Sequence, residues 1–258
     1  MNLAVDLGGT WLRWEIPGKD RGRVASAEVD PTGYLRRLIE EYGIEKVAIS
    51  FAGQVHENHI LSAPNIAEGF DPAALGIPYR IENDLKCAAL AEGRYWGSES
   101  LVALYSGTGL GSAALEKGKL IRGAHNLAGE IGHVPYRKAP FRCGCGKDNC
   151  LELYASGSGI EKWAKHLHIE ASLDHPEIHA LYSEALLHAS ATELTLLNQE
   201  LLVLGGGVIT HRPALVEYLK ERLPDYAPSF ALEGCRIELT RLENASLEGA
   251  KILLERFV

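Results

Sequence analysis

The side chains best suited to chemistry crowd into one stretch, Gly129 to Glu152, which reads G-E-I-G-H-V-P-Y-R-K-A-P-F-R-C-G-C-G-K-D-N-C-L-E. Three of the five cysteines, Cys143, Cys145 and Cys150, fall within eight positions, His133 stands ten residues ahead of the first, and Glu130 and Glu152 bracket the group. An odd number of cysteines in a C-x-C-x4-C pattern points to metal binding rather than a disulfide framework in an intracellular protein. A zinc knot beside two carboxylates is one reading, and a reduced cluster with no metal is the other. Cys87 and Cys235 sit in apolar surroundings and read as buried thiols.

A second kind of chemistry is suggested by glycine turns. Residues 3–6 read as a strand that runs into Gly8-Gly9-Thr10 and then into the strand candidate W-L-R-W-E-I. Glycines there let the backbone approach a ligand and turn consecutive N–H groups outward, an arrangement that holds phosphate. Asp6, at the end of the first strand, would then offer an oxygen toward a phosphate-bound Mg²⁺, often through water. The ordinary alternative is a hairpin with a capping Asp. The same order recurs about a hundred residues later in L-V-A-L-Y-S-G-T-G-L-G-S-A-A-L, with Gly107, Thr108 and Gly109 in the turn. This internal repeat implies two similar lobes whose turns face one another across a cleft. Neither turn is a P-loop or a G-x-G-x-x-G dinucleotide fingerprint.

Two further candidates sit at junctions. Asp84 follows a short strand at Tyr79–Ile81 and opens the helical pattern L-K-C-A-A-L-A-E-G-R-Y-W. It is either an N-cap or a general base held where it can take a proton from a substrate hydroxyl. Gly205-Gly206-Gly207 joins the strand Leu201–Leu204 to a helix, as a tight turn or as a close approach for a flat ligand such as adenine. Asn65, at the end of the turn-rich loop after strand Val47–Ser50, is a turn former or a hydroxyl ligand.

The elements that must position these residues belong to an α/β pattern. Helices are expected where Leu35, Leu38, Ile39 and Tyr42 recur before Gly43, over 157–168, over 176–198 with Leu181, Ala185, Leu186 and Ala189 as a core stripe, after Pro213, and from about Ser246 to Phe257. A last strand is expected at Cys235–Leu239. With 258 residues and 46% apolar content, the chain can bury a substantial core. The net charge of −8 and the absence of a basic block argue against nucleic-acid or membrane-surface partners. No basic leader and no run approaching roughly 20 apolar residues is present, so a cytoplasmic location is expected.

The set D-L-G-G-T (6–10), E-N-D (82–84), G-T-G-L-G (107–111), A-G-E-I-G-H (128–133), C-G-C-G-K-D-N-C-L-E (143–152) and L-G-G-G-V-I (204–209) resembles the ROK family in order and spacing. That family groups bacterial sugar kinases with related transcriptional repressors. The resemblance implies a two-lobed fold of the actin and hexokinase type, each lobe a ribonuclease-H-like mixed sheet flanked by helices. The lobes would comprise 1–104 plus 244–258, and 105–243. It further implies that Asp84 is the general base and that Asn65, Asn83, Glu130, His133 and Glu152 bind sugar hydroxyls. Gly8, Gly9, Thr10, Gly107, Thr108 and Gly109 would hold the phosphates of ATP, Asp6 would position Mg²⁺, and Gly205, Gly206 and Gly207 would flank adenosine. His133, Cys143, Cys145 and Cys150 would form a closed structural zinc site that leaves the second imidazole nitrogen toward the sugar.

The expected activity is an ATP-dependent hexose kinase, glucokinase-like at the 6-hydroxyl and working as a homodimer. N-acetylmannosamine, N-acetylglucosamine and fructose are alternative acceptors, and polyphosphate an alternative donor. A non-catalytic sugar sensor, or a repressor-related protein, is the reading from another class.

Overall fold

The computed structural model describes residues 1–62 and 70–257, so Asn65 lies outside the described residues. Two compact units divide the chain. Unit 1 holds Met1–Trp96, Leu120–Ala128 and Leu242–Val258, and unit 2 holds Gly97–Lys119 and Gly129–Arg241. These differ from the expected lobes at 97–104, at 120–128 and at 242–243, the last two residues joining unit 1. Residues 97–104 belong to unit 2, because Leu101–Ser106 is the strand on which its sheet is built. Residues 120–128 return to unit 1, where Arg122 bonds the Glu82 carboxylate and Asn126 Nδ2 donates to Glu82 Oε1 at 2.8 Å.

Unit 1 begins with strands β1 (Asn2–Leu7), β2 (Trp11–Ile16) and β3 (Asp20–Ala25). Helix α1 (Pro31–Tyr42) follows, its start capped by the Asp30 carboxylate and its end by Gly43 at φ 63°. Then come β4 (Lys46–Phe51), the hairpin β5 (Gln54–His56) and β6 (His59–Ser62), β7 (Tyr79–Asn83) and α2 (Asp84–Trp96). The sheet order is β3-β2-β1-β4-β7, with β1 antiparallel to β2 and parallel to β4. Leu3, Val5, Leu7, Val47, Ile49 and Phe51 are fully buried, as expected of central parallel strands.

Two strand sets were not expected from the sequence. Strand β3, D-R-G-R-V-A, lacks an apolar alternation because it lies at the sheet edge with exposed side chains. The β5–β6 hairpin falls in a segment read as loop. Its turn puts Glu57 and Asn58 at φ 48° and 64°, the left-handed pair that tight hairpins require.

Unit 2 contains β8 (Leu101–Ser106), β9 (Leu110–Glu116), β10 (Lys119–Leu120), α3 (Gly157–Leu167), α4 (Pro176–Leu197), β11 (Leu201–Gly205), α5 (Gly207–Thr210), α6 (Ala214–Arg222), α7 (Ser229–Leu232) and β12 (Arg236–Leu239). Its sheet order is β10-β9-β8-β11-β12, with β8 antiparallel to β9 and parallel to β11. Each unit therefore opens with a strand, a glycine turn and an antiparallel strand, and the opening strand is central. Helix α4 is buried on most of its circumference, Tyr182, Ala185, Leu186, Leu187 and Leu194 included, whereas Leu181 is only half-buried. The single apolar stripe expected there is thus a helix enclosed on several sides. Cys235 is half-buried rather than buried.

The last helix, α8 (Ala245–Glu255), returns to unit 1 and packs on α2. A Cβ placed on Gly249 would lie 2.0 Å from the Cys87 carbonyl oxygen, so the two backbones are in direct contact. Among the described residues no helix is long and apolar enough to cross a membrane.

Alanine in a helix interior ordinarily stabilises by up to about 1 kcal/mol over glycine. Gly249→Ala reverses that sign, because the helices must separate. The expected loss is about 1–3 kcal/mol, read as a fall of several degrees in melting temperature. An unchanged or raised melting temperature would show that α2 and α8 are not held by this contact.

Candidate active site and metal centre

Asp84 stands at the carboxyl end of β7 as the first residue of α2. The helix start is shared: Asn83 Oδ1 accepts the N–H groups of Leu85 and Lys86 at 3.1 and 3.2 Å, and Asp84 Oδ1 accepts the Leu85 N–H as well. Asn83 Nδ2 donates to Gly53 O at 3.1 Å and to Asp84 Oδ1 at 3.0 Å. Both amide hydrogens and both acceptor positions of Asn83 are therefore engaged within the protein, and its amide orients Asp84. Burial, and then the nearby Asp6 carboxylate, push Asp84 from the usual 3.8 up to about 7. The Leu85 N–H at 2.9 Å and the Asn83 amide oppose that rise. One face of the Asp84 residue stays open to solvent.

Asp6 is buried at the carboxyl end of β1. Its Oδ1 accepts from Ser50 Oγ at 3.2 Å, and its Oδ2 from Arg13 Nη1 at 3.2 Å and Asn244 Nδ2 at 3.1 Å. Burial raises its pKa more than these donors lower it. One lone pair of Oδ1 is left, which suits a water of a hydrated Mg²⁺ better than direct ligation. Asn244 also caps α8, its Oδ1 accepting from Leu247 N–H at 3.0 Å. No local pattern marks Arg13 or Ser50 as a partner of Asp6, whereas N-A-S-L before an apolar helix is a capping signal for Asn244. In the adjoining turn, Gly8 N–H is spent on Trp11 O at 3.0 Å, while Gly9 and Thr10 are exposed at the tip.

In unit 2 the second glycine turn is tied to α3. Gly157 and Ser158 N–H donate to the carbonyls of Gly107 and Thr108 at 2.8 and 3.1 Å. Gly109 is required by its neighbour, since a Cβ there would lie 2.6 Å from Glu152 Oε2. Glu152 links turn and cysteines: Oε2 accepts Leu110 N–H at 3.1 Å, and Cys143 Sγ lies 3.3 Å from Oε1. Gly129, at φ 99°, and Gly132 press against β9, where a Cβ would meet the Ser112 and Leu110 carbonyl oxygens at 2.2 Å. The G-E-I-G-H spacing thus comes from two backbone contacts with one strand. Of the glycines expected at adenosine, Gly205 and Gly206 pack on the Tyr105 ring and the Ser106 backbone, and Gly207 alone borders open space.

The donor atoms of His133, Cys143, Cys145 and Cys150 all lie within 4.8 Å of one another. His133 Nδ1 is 3.6 Å from Cys143 Sγ, and Cys145 Sγ is 3.4 Å from Cys150 Sγ. Ligands at 2.0–2.3 Å from a tetrahedral zinc stand about 3.5–3.8 Å apart, so one imidazole and three sulfurs fit that ion. His133 Nε2 remains 3.8 Å from Glu130 Oε2. The loop has its own scaffold as well. Tyr136 and Ala139 N–H bond Asn149 and Asp148 carbonyls at 2.6 and 2.7 Å, and Tyr154 Oη donates to Lys138 O at 2.9 Å. Elsewhere in unit 1, a cavity of about 670 Å³ lined by Met1, Arg94, Tyr95, Lys251 and Glu255 among others contains none of the expected site residues.

Two sheets of matching order, each opened by a glycine turn and flanked by helices, define an α/β fold of the actin and hexokinase type. The family model described as ROK family matches residues 3–256, and the chain belongs to that family. The chain is 30% identical to the N-acetyl-D-glucosamine kinase of Salmonella typhimurium over 313 residues, covering 98% of the chain and 99% of that protein. The ROK hexokinase of Thermus thermophilus superposes with a TM-score of 0.78 at 26% identity, over 98% of both chains. A ROK family glucokinase from Streptomyces griseus, in complex with glucose and AMPPNP, superposes with a TM-score of 0.78 at 23% identity, again over 98% of both.

Two outcomes follow from this geometry. The folded-state pKa of Asp84 lies above its unfolded value, so its favourable contribution is complete below about 3.8 and is lost as pH rises through about 7. A three-unit shift corresponds to about 4 kcal/mol, reduced here by the solvent-facing side. Asp84→Asn is therefore expected to stabilise the protein at pH 8 by about 1–3 kcal/mol and to change it little at pH 4, read by thermal melts at both values. Separately, metal analysis of the purified protein should find one zinc per chain, and Cys145→Ser should lose it. A zinc-free wild type would leave the cluster as reduced thiols.

Proposed function

We propose that the protein is an ATP-dependent hexose kinase that phosphorylates the 6-hydroxyl of a glucose-type sugar. The observation that carries this reading is Asp84, a carboxylate set at a strand-to-helix junction with a pKa near 7. A base of that strength is substantially ionised at neutral pH yet still basic enough to take a hydroxyl proton as the phosphoryl group transfers. Asn83 and the Leu85 N–H hold Asp84 Oδ1, which leaves Oδ2 to accept the proton. Phosphoryl transfer asks mainly for positioning and charge neutralisation. In this reading Gly8, Gly9, Thr10, Gly107, Thr108 and Gly109 line the phosphates, with the exposed tips at Gly9, Thr10 and Thr108 offering N–H groups and those of Gly8 and Gly107 spent within their turns. Asp6 holds a hydrated Mg²⁺, which supplies charge neutralisation when bound. Gly207 gives adenosine its approach.

Glu130, His133, Glu152 and Asn65 are assigned to sugar hydroxyls, since carboxylates and amides each fix two neighbouring OH groups. The metal has no open ligand position in a His/Cys3 set and would serve to hold the His133 ring. Cytoplasmic location and a homodimer belong to the same proposal.

N-acetylglucosamine is a second acceptor to consider, supported by the full-length match to the Salmonella enzyme. A coupled ADP-release assay over glucose, N-acetylglucosamine, mannose, fructose and N-acetylmannosamine, with ATP or polyphosphate as donor, decides between them. kcat/KM is expected to rise through an apparent pKa of about 7. Asp84→Ala should lower it by about 10³-fold. No turnover of any sugar, or an Asp84→Ala variant as active as the wild type, overturns the kinase assignment and favours a non-catalytic sugar sensor.

A further inference from the structure

Behind the G-E-I-G-H segment lies a buried acid that the mechanism above does not use. Glu193, on α4, is 7% exposed, and among the described residues its carboxyl group bonds only to the Ser112 hydroxyl. Ser112, on β9, sends both its N–H and its hydroxyl oxygen toward the Gly129 carbonyl, at 3.1 and 3.0 Å. Gly129 directly precedes Glu130.

Counting protons decides who donates. A serine hydroxyl carries one hydrogen, and here it faces two oxygen acceptors, Gly129 O and Glu193 Oε1. If that hydrogen went to an ionised Glu193, a buried carboxylate would have one hydrogen bond and no cation, and the 3.0 Å Ser112–Gly129 oxygen contact would hold no proton. If Glu193 keeps its own proton, it donates to Ser112 Oγ and Ser112 donates to Gly129 O, so every group in the chain is satisfied. Burial also raises the Glu193 pKa, with the Ser112 bond opposing.

We infer that Glu193 is a protonated carboxylic acid which, through Ser112, fixes the Gly129 carbonyl and thereby the placement of Glu130: a positioning residue for sugar binding. The positioning half rests on the assignment of Glu130 to the sugar, whereas the protonation half does not. The close approach of Gly129 to Ser112 O and the bond from the Ser112 hydroxyl to Gly129 O both hold the Gly129–Glu130 peptide against β9.

Two measurements test it. Infrared difference spectra of wild type against Glu193→Gln at pH 8 should show loss of a protonated-carboxyl C=O band. Loss of a carboxylate band instead would overturn the assignment. In steady-state kinetics, Glu193→Ala and Ser112→Ala should each raise the sugar KM about tenfold with the ATP KM and kcat nearly unchanged. Glu193→Gln should restore the wild-type value, since its amide still donates to Ser112. A normal sugar KM in Glu193→Ala, or a Gln variant as impaired as Ala, sinks the positioning role. Should Glu193→Ala not fold, Ser112→Ala against Glu193→Gln makes the same comparison. Should no sugar turn over, the kinase reading fails by itself, and calorimetric sugar affinities of these variants replace KM.

Discussion

Unit 1 is arranged around two carboxylates taken out of water, Asp6 and Asp84, held at the carboxyl ends of β1 and β7. Burial raises the proton affinity of both, and with the Asp6 carboxylate adding to the rise Asp84 holds its proton up to about 7. Such a pair is costly to fold around, and the surrounding donors limit that cost. Ser50, Arg13 and Asn244 bond Asp6, while Asn83 and the Leu85 N–H bond Asp84. Asn244 and Asn83 do this while also capping α8 and α2, so the helices that close the unit begin on the residues that stabilise the acids.

Unit 2 solves a different problem, that of holding polar residues on irregular backbone. The segment from Gly129 to Glu152 has almost no regular structure and depends on close approach to β9 and on cross-loop bonds. Gly129 and Gly132 let it lie on the Ser112 and Leu110 carbonyls, and Glu152 reaches back to Leu110 N–H. The cysteine cluster sits on a loop braced by Tyr154 and by the Tyr136 and Ala139 bonds.

Much of this was legible in the residues. Strand, glycine turn and strand recur because a turn that exposes N–H groups needs glycine and its flanking strands need apolar runs, and both leave marks in sequence. Asp84 was legible as either cap or base, and the ambiguity was genuine, since a carboxylate at a helix start satisfies either pattern. The structure shows Asn83 taking the Leu85 and Lys86 N–H groups while Asp84 shares only the first, through Oδ1. Strand β3 and the β5–β6 hairpin were illegible because edge strands need no apolar alternation.

By itself the sequence determined the α/β class, the duplicated turns, the His133 and cysteine donor set and the identity of the acids, because these depend on residue type and local spacing. Tertiary structure alone decided which unit residues 97–104 and 120–128 join, that Asn83 orients rather than caps alone, and that Asp6 is ringed by Arg13, Ser50 and Asn244. It also decided that Glu193 lies under Gly129. Most of these rest on contacts between segments distant in the chain, such as Asn244 and Ser50 with Asp6, and such contacts set burial, and burial sets proton affinity. No local pattern encodes them.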